Sequence, residues 1–151
     1  MRSGDGFVVC GDGQTRWGRF GAAGVLARCV EGDEHWFFVA RRSEFTHRGG
    51  SWAIPGGALN DGESPLDGAL REFAEEIGVA MPDHVVAHVH ESDHGGWCYW
   101  TVVVDVTERF DVPTEFHWET ADARWVRSDE LTQLELFDAF AATLAELGFA
   151  S

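Results

Sequence analysis

The chain has 151 residues, 44% of them hydrophobic and seven of them tryptophan, with a formal net charge of −15 at pH 7. That length supports one sizeable core but hardly two, so a single domain over 1–151 is expected. The acidity argues against a nucleic-acid polymer or an anionic membrane as partner, since both are held through cationic side chains. All eleven basic residues are arginine, which excludes lysine Schiff-base chemistry and a phosphate-binding P-loop lysine. No apolar run reaches the roughly 18 residues of a membrane span, and the first residues lack the apolar region of a secretory signal. Cys10, Cys29 and Cys98 are few, odd in number and far apart, which suits reduced thiols and a cytoplasmic location.

Residues 1–19 are polar and glycine-rich, with Trp17 as their main apolar residue, and are expected to form a loosely ordered lead-in. Small and branched apolar residues from Gly21 to Val30 predict a buried strand. A turn at residues 31–34 and alternation over His35 to Arg41 predict a second strand paired with it as a hairpin. The loop over 41–50 carries Arg41, Arg42 and Arg48 with His47 and is the densest positive stretch in the chain. It reads either as a solvated loop or as a site where Arg42 and Arg48 meet phosphate oxygens. Trp17, Trp36 and Phe45 are candidates for stacking on a base, although aromatic residues at such spacings more often belong to the core.

After Trp52-Ala53-Ile54-Pro55-Gly56-Gly57 the pattern turns helical. Ser64 suits the N-cap, Pro65 the first helical position, and Gly78 the left-handed position after the last turn. Leu66, Ala69, Leu70, Phe73 and Ile77 recur at helical spacing and define a buried face. The opposite face carries Arg71, Glu72, Glu75 and Glu76. Like charges three and four residues apart cost a helix roughly 0.2–0.5 kcal/mol per pair. The patch is therefore either an ordinary solvated face or a set of hard oxygen ligands for a magnesium-type cation.

Beyond the helix, Val85 to Glu91 and Trp97 to Val106 are strand candidates. His88 and His90 share one strand face near His94 and Cys98, a spacing that permits zinc, but polar alternation on a half-exposed strand explains them more simply. A polar loop over 107–122, a short strand over 123–126 and a turn at Ser128–Leu131 lead to a final helix reaching Leu147. Its core face comprises Leu136, Phe137, Phe140, Leu144 and Leu147.

Gly57, Glu63 and the run Arg71-Glu72-Phe73-Ala74-Glu75-Glu76-Ile77-Gly78-Val79 satisfy every fixed position of G-x5-E-x7-R-E-U-x-E-E-x-G-U, with U a bulky apolar residue. This is the Nudix box, and the chain resembles the Nudix hydrolases. The resemblance implies an α/β/α sandwich with a mixed sheet and the box as a loop–helix–loop. It implies metal-dependent hydrolysis of a pyrophosphate linkage in a nucleoside di- or triphosphate derivative, with Mg2+ as cofactor and Mn2+ as an alternative. By resemblance, Glu72, Glu75, Glu76 and the Gly57 carbonyl hold the metal, Arg71 steadies Glu75, and Glu63 acts one layer out. The general base is either Glu72 or a loop glutamate. Glu119, six residues before Trp125, has the family's spacing, with Glu115 as runner-up.

The substrate is less defined. An oxidised nucleoside triphosphate fits, and ADP-ribose or another nucleotide sugar is the alternative. The absence of a proline near Gly95 counts against ADP-ribose, and Tyr99 is not well placed for a diadenosine polyphosphate enzyme. A non-catalytic nucleotide-sensing module is the remaining reading, disfavoured by a box that has lost no glutamate. An isoprenoid diphosphate isomerase is disfavoured because the box is intact and Cys29 and Cys98 fall in predicted strands. A homodimer is left open.

Overall fold

A computed structural model describes residues 2–44 and 49–149. In chain order the elements are β1 (Phe7–Val9), β2 (Thr15–Trp17), β3 (Ala22–Glu31), β4 (Glu34–Arg42), β5 (Trp52–Ala53), β6 (Gly56–Ala58), α1 (Pro65–Ile77), β7 (His84–Asp93), β8 (Cys98–Val106), β9 (Thr120–Arg127), α2 (Ser128–Leu131) and α3 (Asp138–Leu147). Among the described residues, no helix is long and apolar enough to cross a membrane.

The seven strands β3 to β9 form one mixed sheet. β3 runs parallel to β8 from Ala22 to Arg28, while its other neighbours are antiparallel. Side chains alternate across it, as a pleated strand requires. Ala23, Val25, Ala27, Phe38, Val102 and Val104 pack against Ala69, Phe73 and Ile77 of α1. Leu26, Phe37, Val39, Val103 and Val126 face Leu131 of α2 and Phe140 and Leu144 of α3. Covered on both faces, β3 and β8 are continuous apolar runs rather than alternating ones, and the molecule is the expected α/β/α sandwich.

One irregularity in the sheet matters for function. β3 and β4 pair only over Arg28–Glu31 and Glu34–Phe37. Beyond that they diverge. β3 takes β6 as its partner over Ala22–Gly24, and β4 takes β5 over Ala40–Arg41. The segment 52–58 thus fills a fork in the sheet, anchored by the Val25 amide donating to the Pro55 carbonyl at 3.0 Å.

In place of a loosely ordered lead-in over 1–19, β1 and β2 pair as a hairpin. Its inner side meets a small cluster of Cys10, Ala22 and Trp97, and the Trp97 indole donates to the Gly18 carbonyl at 2.8 Å. β9 is also longer than the expected strand over 123–126, because it pairs with β4 along Trp36–Arg42.

Phe73 is fully buried, with its ring 5.8 Å from that of Phe38 and 5.7 Å from that of Phe110. Phe73→Ala is expected to cost about 3–5 kcal/mol through lost burial and a residual cavity. Urea unfolding measures it, and a cost below about 1 kcal/mol would show that α1 does not depend on this contact.

Candidate active site

Helix α1 is fixed at both ends as its sequence demands. The Ser64 hydroxyl accepts from the Asp67 amide, Pro65 opens the first turn, and Gly78 ends the helix in the left-handed region at φ 89°. Ala69, Phe73 and Ile77 lock its inner face to the sheet, which leaves the Arg71–Glu76 face no freedom to rotate away from segment 56–63.

Arg71 organises that face. Its guanidinium grips both oxygens of Glu63 at 2.8 and 2.9 Å, donates to the Ala58 carbonyl at 2.9 Å, and reaches Glu72 at 3.0 Å. Both oxygens of Glu75 lie 3.3 Å away. Glu63 also accepts from the Asn60 amide at 3.0 Å. With 8% of its side chain exposed, it is a fixed strut whose carboxyl Arg71 holds below the usual carboxylate range. Arg71 therefore ties the loop, the helix and three of the four box glutamates together, rather than serving Glu75 alone.

Glu72 and Glu76 turn inward. A side-chain carbon on Gly57 would come within 2.6–2.8 Å of the Glu72 carboxylate, so only glycine permits this approach. Glu76 is mostly buried, and the Gly56 amide donates to it. Burial pushes Glu76 up to about 8 from the ordinary 4.5, and neighbouring Glu72 adds to this; the Gly56 amide and Arg42 offset only part. Burial also raises Glu72, with Arg71 opposing and Glu75 and Glu119 adding. Glu75 instead lies at the rim, with 58% of its side chain exposed.

Glu119 is brought to the same place. It lines a narrow cleft with Arg41, Arg42, Ile54, Gly56 and Glu76, and its charge acts on both Glu72 and Glu76. Its loop is tethered on two sides. The Ser43 amide donates to the Glu119 carbonyl at 2.8 Å, and the His117 amide to the Glu76 carbonyl at 3.2 Å. Glu115 is exposed and does not line this cleft.

Arg42 lines the cleft with its guanidinium over the Phe137 ring at 5.0 Å. The other loop candidates, Phe45 and Arg48, lie outside the described residues. Trp17 does not line the cleft; it stands 48% exposed on the hairpin, edge-on to Phe7. Trp36 is covered by Arg109 at 3.9 Å. Arg109 borders a wider groove of about 500 Å³ with Glu31, Glu108 and Asp111. That groove contains none of the box glutamates, and its acidic lining offers little to a phosphate.

The donors suit a hard divalent cation: carboxylate oxygens beside backbone, with no thiolate or imidazole among the box residues. Among the described residues no three His, Cys, Asp or Glu side chains are already drawn together tightly enough to hold an ion. The fit rests instead on two half-buried carboxylates that repel each other, a repulsion that Arg71 at Glu72 and Arg42 at Glu76 only partly offset. His88 and His90 form no such group, and His90 lies against Glu146 of α3 at 2.6 Å. The Gly56 amide and the tethers at Ser43 and His117 were not legible in the sequence. The glycine pair at 56–57 was the one signal of a close backbone approach.

The model of the NUDIX domain matches residues 18–147. A Mycobacterium tuberculosis protein provisionally named 8-oxo-dGTP diphosphatase 3 is 39% identical over 152 residues, covering 95% of this chain and 69% of that protein. A nucleoside triphosphate pyrophosphatase/Nudix hydrolase fusion protein of Bifidobacterium longum is 39% identical over 158 residues, 97% of this chain and 33% of the fusion. The crystal structure of a Nudix hydrolase from M. smegmatis, RenU, superposes with a TM-score of 0.84 at 34% identity, covering 95% of this chain and 92% of that one.

The raised Glu76 pKa predicts a specific pH dependence of stability. Between about 4.5 and 8 the metal-free native state holds more protons than the unfolded chain, so its stability falls as pH rises through that window. Glu76→Gln should abolish this component, leaving the variant more stable than the parent at pH 8 and gaining nothing on it at pH 4.5. Urea unfolding in chelator at both pH values measures the difference, and a pH-independent gap would contradict it.

Proposed function

The chain belongs to the Nudix hydrolase family, and on that premise we propose that it hydrolyses an oxidised purine nucleoside triphosphate of the 8-oxo-dGTP class to a nucleoside monophosphate and pyrophosphate. The observation that carries this reading is the half-buried Glu72–Glu76 pair against Gly56–Gly57, with Glu76, Glu119 and Arg42 lining one cleft. The name of the M. tuberculosis relative, which spans nearly the whole chain, supports the choice of nucleotide.

The enzyme works with a divalent metal, and magnesium is the proposed ion. Glu72, Glu75 and Glu76 with the Gly57 carbonyl would hold it. Such an ion neutralises phosphate oxygens and acidifies water. The remaining steps belong to the chain. Arg42 meets the phosphate oxygens, where a planar fork of donors is well matched. Glu119 accepts the proton of the attacking water, having been placed by tethers on both sides. Arg71 and Glu63 keep Glu72 in position throughout. Three free cysteines, two of them buried, support a cytoplasmic setting for the same reading.

Two variants separate the roles. Glu119→Gln should lower turnover by about 10²–10⁴-fold while leaving magnesium affinity intact. Glu76→Gln should lose both turnover and magnesium binding. Steady-state kinetics on 8-oxo-dGTP, dGTP and ADP-ribose across a magnesium series, with products weighed by mass spectrometry, measures both. A fully active Glu119→Gln would return the base to Glu72 or Glu115, and preferred cleavage of ADP-ribose would overturn the substrate.

A further inference from the structure

The Gly56–Gly57 strand is contacted from both sides. Successive residues of a strand face opposite ways, and here Gly57 faces the Glu72 carboxylate of α1 while Gly56 faces Tyr99 of β8. A side-chain carbon on Gly56 would lie 2.9 Å from the Tyr99 hydroxyl, and one on Gly24 would overlap it. Gly24 and Gly56 are register partners in the β3–β6 pair. Tyr99 thus rises from the neighbouring strand, partly buried against Cys10, Ala22 and Trp97, and crosses β3 over the one residue whose missing side chain lets it through. Its hydroxyl ends on the turn that carries the Gly56 amide to Glu76. Among the described residues no hydrogen bond ends on that hydroxyl, so the contact is one of shape. Burial keeps the phenol neutral.

We propose that Tyr99 is a positioning residue for the metal-holding turn: lying across Gly24, its phenol presses Gly56–Gly57 toward α1, so that the Gly56 amide meets Glu76 and Gly57 meets Glu72. This deepens the function proposed above and rests on its assignment of Glu72 and Glu76 as metal ligands. It also accounts for three glycines at once. Gly24 clears the path, Gly56 receives the wedge, and Gly57 admits the carboxylate. Tyr99 itself touches neither metal nor substrate in this account, so its effect must travel through the turn.

Tyr99→Leu removes the end of the wedge, and Tyr99→Phe keeps the ring while removing only the oxygen. In metal-free protein, amide hydrogen exchange at Gly56, followed by NMR, should accelerate about tenfold in Tyr99→Leu and roughly threefold in Tyr99→Phe, because the turn opens locally more often. The Mn2+ dissociation constant of the free enzyme should rise about tenfold in Tyr99→Leu, while KM for nucleotide at saturating metal stays at the parent value. If Tyr99→Leu does not fold, exchange in Tyr99→Phe decides alone. Unchanged Gly56 exchange in every variant that folds overturns the wedge. A raised KM with unmoved metal binding also overturns it, by making Tyr99 a substrate contact. The exchange readout needs no metal or substrate, so it separates failure of the wedge from failure of the metal assignment, which the parent's own Mn2+ titration tests.

Discussion

Two carboxylates on one rigid helical face, Glu72 and Glu76, are half-buried against the backbone of Gly56–Gly57 with too little positive charge to balance them. Burying a charge is costly unless it is paired. The chain meets part of that cost with Arg71 on Glu72 and the Gly56 amide on Glu76. The remainder appears as the upward displacement of both glutamates. Such a site is costly as a purely structural feature, and on the proposed reading a divalent cation held by these residues would relieve that cost.

The sheet is built to create this position. If β3 and β4 stayed paired along their length, no backbone would lie beneath α1 to meet the glutamates. Their divergence admits segment 52–58, and the Phe73 and Ile77 contacts hold α1 over it. The opposite side of the cleft comes from far along the chain, through the loop before β9. Its glutamate is tied back to both α1 and the end of β4. Local instability at the carboxylates is thus carried by a core that is apolar on both faces of the sheet, a trade between stability and activity common to enzyme sites.

Helix α1 was legible to its ends, because capping serine, proline and glycine act through local geometry that one sequence displays. β3, β4 and β8 were legible for the same kind of reason, as apolar runs bounded by turns. The β1–β2 hairpin was not. Its strands are three residues long, and its inward contacts depend on Trp97, 80 positions away from Trp17. The fork could not be read either, since it depends on registers between Ala22–Gly24 and Gly56–Ala58. The box glutamates were found through spacing and resemblance, but their different fates, Glu72 and Glu76 inward and Glu75 at the rim, follow from where the Gly56–Gly57 backbone lies. Glu119 was singled out by resemblance, through the family's spacing from Trp125. The tethers that place it are backbone hydrogen bonds, to which side-chain identity gives no clue.

On the proposed reading Glu72 and Glu76 belong to one cation site, in which Glu76 bears a proton until the ion arrives. Calorimetric titration of magnesium into metal-free protein, repeated in buffers of different ionisation enthalpy, tests it most directly. With Glu76 pushed up to about 8, binding at pH 7 should release about one proton per ion, and the release should vanish near pH 9. Binding at pH 7 without proton release, or no binding at all, would contradict the account.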